Sequence, residues 1–258
     1  MSDALEKFAL AIGCCLIFGA LERAFPAQAG QTFSGRARNI ALTAVALGLG
    51  GLVIGGVYWF VPACHHSARR SLFSALAAAL ASAVLTDFAF YWYHRAEHRL
   101  QFLWAIHELH HSDEELNATT SMRTFWLEPP LQALLVGIPV GYCVGLDSTA
   151  AAASTVVLTV WFFLSHANLR LHLGVFTPVL CGPQLHRIHH SKLPHHRDKN
   201  FAQFFPFIDI LFGTYHRPSR DEFPPTGTPD LRSDASLATM MARPFGLWAA
   251  SLRALVRR

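Results

Sequence analysis

The sequence predicts an all-α protein: polytopic membrane helices, about four to five spans including a helical hairpin, with a helical cytoplasmic cap holding a histidine-rich di-metal site. Three observations predict it. Mean hydropathy is +0.29 with only 15% charged residues over 258 positions, an unusual balance for a water-soluble globule. Uncharged apolar runs recur along the chain, several of them near the length that crosses a bilayer. More than half of the 15 histidines fall into three ordered boxes between positions 94 and 190.

Residues 1–70 are read as N-terminal membrane helices. The run Phe8 to Leu21 is marginal and Ile40 to Val61 is sufficient, given that a span needs about 17–25 residues. Asp3, Glu6 and Lys7 before the first run supply no basic leader, so a retained helix is expected rather than a removed signal peptide. His65 and His66 follow Pro62; an adjacent pair in a loop without further ligands more often binds nothing. Five cysteines with no CxxC spacing, mostly inside apolar runs, carry no disulfide or redox argument.

Residues 71–216 are read as the catalytic unit. The run Ser71 to Tyr93, interrupted only by Asp87, ends in aromatics from Phe88 to Tyr93 that suit a membrane interface, which places His94 and His98 just beyond the hydrocarbon. Asp87 lies about two turns before His94 on one face. A carboxylate inside a span is costly without a partner, so Asp87 is expected to accept an N–H from a ligating histidine. His107, His110 and His111 follow on a polar helical segment, and Pro129 with Pro130 opens the fourth run. Runs Pro129 to Leu146 and Ser148 to Ser165 fit a hairpin turning at Asp147. Two crossings return His186, His189 and His190 to the face of the earlier boxes, with His166 at the same end. The stretch Leu171 to Leu185, broken by Gly174, Pro178, Gly182 and Pro183, reads as interfacial.

Residues 217–258 are expected to form a surface loop, rich in proline and charge from Arg217 to Asp234. A basic amphipathic helix on the membrane, Leu237 to Leu255, follows. Arg95, Arg99, Arg123, Lys192, Arg197 and Lys199 cluster around the boxes; the positive-inside rule assigns that side to the cytoplasm, with Arg69 and Arg70 as a small opposing vote. No Lys/Arg stripe or binding motif points to nucleic acid.

Residues three and four apart on a helix share a face, so His94-x-x-x-His98, His107-x-x-His110-His111 and His186-x-x-His189-His190 each aim imidazoles into one small volume. Eight ligands are twice the quota of one tetrahedral site and suit two ions with open positions. His166, at the end of the fifth run, is a candidate ninth. Imidazole suits zinc, copper, iron and nickel alike, which leaves the metal open. His172, His195, His196 and His216 are near neighbours, expected more often as hydrogen-bonding groups than as ligands.

The stretches Asp87-x-x-x-Tyr91-Trp92-x-His94-Arg95-x-x-His98, His107-x-x-His110-His111-Ser112, Asn117, Phe163-x-x-His166-x-Asn168, His186-Arg187-x-His189-His190-Ser191, Asp198-x-Asn200-Phe201 and Asp209-x-x-Phe212-Gly213-Thr214-Tyr215 resemble the fatty acid hydroxylase/sterol desaturase superfamily over roughly residues 80–216. The resemblance implies an integral membrane oxygenase, helical throughout, with two iron ions held by the eight box histidines and O2 as cosubstrate. It implies that a hydrogen is taken from a lipid C–H bond, to give an alcohol or, with loss of a second hydrogen, an alkene. Asp87, Glu97 and Asn168 would tune the centre. The chain departs from the family pattern at Arg123-Thr-Phe125-Trp126-Leu-Glu128, which keeps an arginine and a glutamate but replaces an intervening His-Pro with aromatics.

No dinucleotide fingerprint or cysteine cluster accompanies the boxes. Electrons are therefore expected from a separate donor, cytochrome b5-like or of ferredoxin/reductase type, docking on the cytoplasmic face, and a bacterial inner membrane is the expected location. The competing reading is a non-redox zinc protein, a membrane hydrolase or metal transporter. A transporter should carry histidines or carboxylates within several spans and a hydrolase an obvious base such as the glutamate of HExxH; neither pattern is present.

Overall fold

The computed structural model describes residues 2–60, 72–144 and 148–256. His65, His66, Arg69, Arg70 and the expected turn at Asp147 lie outside them. Among the described residues there is helix and no β-strand, only two isolated bridges, Pro26 to Leu169 and Ser191 to Thr226.

Helix α1 is Ser2–Ala24 and α2 is Phe33–Val45, started by Thr32, whose Oγ1 accepts from the Gly35 N–H at 3.1 Å. A π-helical turn, Ala46–Gly50, joins α2 to α3, Gly51–Phe60. Gly50 has a packing reason: a Cβ there would lie 2.6 Å from the Trp126 carbonyl. The long α4, Leu72–Arg99, bends sharply at Leu100 into α5, Gln101–His111. After a 3-10 turn at Ala118–Met122, α6 (Glu128–Gln132), a π turn (Ala133–Gly137) and α7 (Ile138–Val144) run end to end, with Pro129 and Pro130 in the first turn. Then come α8, Ser148–His166, and the short α9, Pro183–His189, and α10, Phe207–Phe212. The last helix is α11, Leu237–Val256.

By length and composition two stretches suffice to cross a membrane, Phe33–Val57 and Leu76–Arg99, while Ser154–His166 is apolar but shorter. Both leave large apolar side chains exposed, among them Leu47, Leu52, Leu76, Leu80 and Leu85.

Three buried clusters hold the frame. Cys14 and Phe18 of α1 meet Phe163 of α8 and Ala167 just beyond its end. Leu42 meets Ile106, Leu109, Phe125 and Met240, and Tyr91 meets Phe201 and Ile208. The C-terminal helix is amphipathic, and one face seats on protein rather than lipid: the Trp248 indole stacks on Phe102 at 4.8 Å, and the Arg243 guanidinium grips the buried Glu108 carboxylate at 2.8 and 3.0 Å. Phe245, Leu252, Leu255 and Val256 stay exposed.

Candidate metal centre

All nine histidines singled out in the sequence converge. They form two adjoining groups, His94, His98, His107, His111 and His189 in one, and His110, His166, His186 and His190 in the other, with the candidate ligand atoms of each group within 4.8 Å of one another. The junction is tight, with the His111 and His190 rings stacked at 4.3 Å. Each HxxHH box serves both groups because its histidines diverge around a helix end: α5 sends His107 and His111 one way and His110 the other. Box three splits likewise, giving His189 to the first group and His186 and His190 to the second.

Within each group the Nε2 atoms face inward at contact distance. His94 to His107, His107 to His111, His111 to His189 and His98 to His111 are 3.1, 3.1, 3.1 and 3.2 Å. In the second group His110 to His166, His166 to His186 and His186 to His190 are 3.2, 2.9 and 3.1 Å. Outward, the Nδ1–H of His94 donates to the Phe201 carbonyl (2.8 Å), His107 to Glu128 (2.8 Å), His189 to the Lys199 carbonyl (2.9 Å), His110 to the Arg123 carbonyl (3.1 Å) and His166 to the Phe162 carbonyl (2.8 Å).

Those acceptors fix the tautomers. A nitrogen bonded to a carbonyl oxygen must carry the proton, which leaves Nε2 as a lone pair. His110 and His166 therefore turn two bare lone pairs on each other at 3.2 Å in a site from which both are buried. Burial pushes the His110 imidazole down to about 4 and His189 to about 3, so protonation does not relieve the contact near neutral pH. A cation between them does, and neutral imidazoles are what a metal ligates. His107 differs: burial pulls it down, but Glu97 and Glu128 outweigh burial and hold it above its ordinary value. This fits a carboxylate–histidine–metal arrangement with Glu128 as the outer partner.

The sequence expectation for Asp87 needs correction. Among the described residues its carboxylate meets no histidine; it accepts the backbone N–H groups of Gln203, Phe204 and Phe205 at 2.7, 3.1 and 2.7 Å. Asp209 does the same for Phe201 and Ala202 at 2.8 and 2.9 Å. Together the two carboxylates shape the segment whose Phe201 carbonyl orients His94, and Gly213 at φ 73° ends α10 so that Thr214 can return to Asp209 at 2.7 Å. Asn168 likewise touches no box histidine: its Oδ1 accepts the Gln28 N–H (2.9 Å), its Nδ2 donates to the Gln28 carbonyl (2.7 Å), and Arg187 approaches Oδ1 at 3.4 Å.

Sequence reasoning missed Glu22 altogether. Buried at the end of α1, it accepts the Ala118 and Asn168 N–H groups at 2.7 and 2.8 Å and pairs with Arg36 at 2.7 Å. A lone carboxylate closing an apolar run was the available signal. Glu128 was legible only as a family remnant, whereas its contact with His107 gives it a position at the centre. Of the four neighbouring histidines, none joins the nine: the His172 Nδ1 accepts from Gly174, while His196 and His216 bond Glu222.

Residues 79–214, more than half of the chain, match the family model "Fatty acid hydroxylase". Among similar curated proteins, alkylglycerol monooxygenase of Xenopus tropicalis is 32% identical over 129 residues, covering 50% of this chain and 28% of that protein. Ornithine lipid hydroxylase OlsE of Rhizobium tropici is 29% identical over 162 residues, covering 63% and 48%. Delta(7)-sterol 5(6)-desaturase erg3B of Aspergillus fumigatus is 28% identical over 150 residues, covering 54% and 39%. The matched stretch thus spans less than half the length of each of these relatives. No solved structure matches the chain.

Proposed function

The chain belongs to the fatty acid hydroxylase family, and from that premise we propose that it is a membrane-bound oxidoreductase using O2 and electrons to hydroxylate, or desaturate, a C–H bond of a lipid, fatty acyl, sterol or related. The observation that carries the reading is the convergence of nine Nε2 atoms into two adjoining groups, with the outward nitrogens of five of the nine tied to carbonyls and a carboxylate. The nine histidines are proposed to hold two iron ions, five and four to each; when bound, these supply O2 activation and the abstraction of hydrogen from carbon. The names of the relatives, which include lipid hydroxylases and sterol desaturases, support a lipid substrate.

The chain's own residues set the geometry. Phe201, Lys199, Arg123 and Phe162 carbonyls and the Glu128 carboxylate lock ring orientation and tautomer, while Asp87 and Asn168 act one step further out by fixing backbone. Burial of all but His98 of the nine keeps bulk water from the ligand atoms. We place four to five spans in the membrane, adding α1 and the α6–α8 hairpin to the two long stretches, with the basic residues about the boxes on the cytoplasmic side. A separate electron donor completes the system.

Lipids of a bacterium expressing the wild type and His110→Ala, compared by mass spectrometry, test this. A species gaining one oxygen in the wild type alone is expected. Loss of two hydrogens instead would make it a desaturase, and a product that persists without O2 would refute both.

A further inference from the structure

A second type of metal-ligating cluster stands apart from the nine histidines. His195, His196 and Glu222 bring one candidate ligand atom each within 4.8 Å of one another. The Nε2 atoms of His196 and His216 converge on a single Glu222 oxygen, Oε1, at 2.9 and 3.0 Å, and the other oxygen is held by the Ser219 N–H at 2.8 Å. The His195 ring packs edge-on against His196 at 4.1 Å, and His216 against His196 at 4.7 Å. His196 is 1% exposed, and its Nδ1 is buried without a hydrogen-bond partner.

We propose that His195, His196 and Glu222 form a third metal site, for a single divalent ion of the zinc class, separate from the nine-histidine centre. Two imidazoles and one carboxylate are a donor set that zinc uses with its fourth position left open. The spacing fits as well: ligand atoms on a tetrahedral zinc are separated by roughly 3–3.5 Å, given bonds of about 2.0–2.1 Å, close to the 2.9 Å between His196 and Glu222, while His216, outside the trio, holds the same Glu222 oxygen in place at 3.0 Å. Burial holds the His196 imidazole below its ordinary value, and Ser219 and the two histidines overcome burial to hold Glu222 below its own. Both are then in the ligating form at neutral pH. His195 is exposed, which supplies an entry path. The ion would fasten the Pro194–His196 turn, just after box three, to the 216–222 segment. That segment is also held by Gln184 of α9, which donates to the carbonyls of Ser219, Arg220 and Glu222.

The test is a zinc titration, by calorimetry and metal analysis, of the full chain in detergent after anaerobic loading with ferrous iron. The wild type is compared with His195→Ala/His196→Ala, which leaves Glu222 and its Ser219 and His216 contacts in place. The wild type should take one more zinc equivalent than the double variant at equal iron content. Equal zinc uptake by the two proteins would overturn the proposal, as would zinc entering the wild type only as iron leaves. The difference between the two proteins reads the same way if the nine-histidine groups hold some other metal, so failure of the iron assignment and failure of this one are separable.

Discussion

A buried imidazole serves a metal when its proton sits on the far nitrogen, and five of the nine histidines have an acceptor that places it there. Among the described residues Glu128 is the one charged acceptor within hydrogen-bond distance of the nine, and its removal is the sharpest residue-level test. Glu128→Gln should retain the fold and lower iron affinity by about 10- to 100-fold, read by competition with a chelator; unchanged affinity would remove Glu128 from the centre. The same burial makes the metal-free protein acid-sensitive. His110 and His189 titrate at about 4 and about 3 when folded but near 6.5 when unfolded, so below that value the unfolded chain binds more protons. Stability should fall as pH drops through that window, by up to about 1.4 kcal/mol per pH unit for each histidine, with His107, shifted upward, opposing them. Thermal unfolding of chelator-stripped protein at about pH 7.5 and about pH 5.5 checks this: a lower midpoint at the acid pH is expected, and equal midpoints would contradict it.

At the scale of elements, the centre is assembled by helices that are themselves stapled by buried charge. Arg243 of α11 is the ion-pair partner of Glu108, whose side chain is 1% exposed, within box two on α5. Arg243→Ala should cost about 1–3 kcal/mol by leaving that carboxylate unpaired, seen as a lower unfolding midpoint in detergent, while Arg243→Lys recovers part of it; an unchanged midpoint would show that α11 is not coupled to α5. Asp87→Ala frees three backbone N–H groups at 203–205. It should destabilise the fold by a similar amount or more and loosen the Phe201 carbonyl behind His94, lowering metal retention along with stability. The boxes were legible in the sequence because three- and four-residue spacing on a helix is a local rule. The role of Asp87 was not: its partners lie more than 110 positions away, and a carboxylate in a helix reads the same whether a histidine or a loop backbone satisfies it. Glu22 escaped for the same reason, its acceptor role set by Ala118 and Asn168 across the fold.

For the whole molecule, hydropathy and box order together foretold an all-helical chain with the histidines gathered at one place, and His166 joined them from the far end of an apolar run. Composition alone could not decide how many runs are long enough to cross a bilayer; among the described residues two stretches are, Phe33–Val57 and Leu76–Arg99. Nor could it show that the nine histidines divide five and four, because that division follows from which side of a helix end each ring leaves. The division is the central claim and it can be counted. Iron and protein are quantified in full-length wild type, His98→Ala and His110→Ala, purified anaerobically in detergent with ferrous iron. Two irons per chain in the wild type and about one in each variant, His98→Ala emptying the first group and His110→Ala the second, is the predicted result. A wild type holding one iron or none, or both irons lost together with the fold intact in either variant, would contradict it.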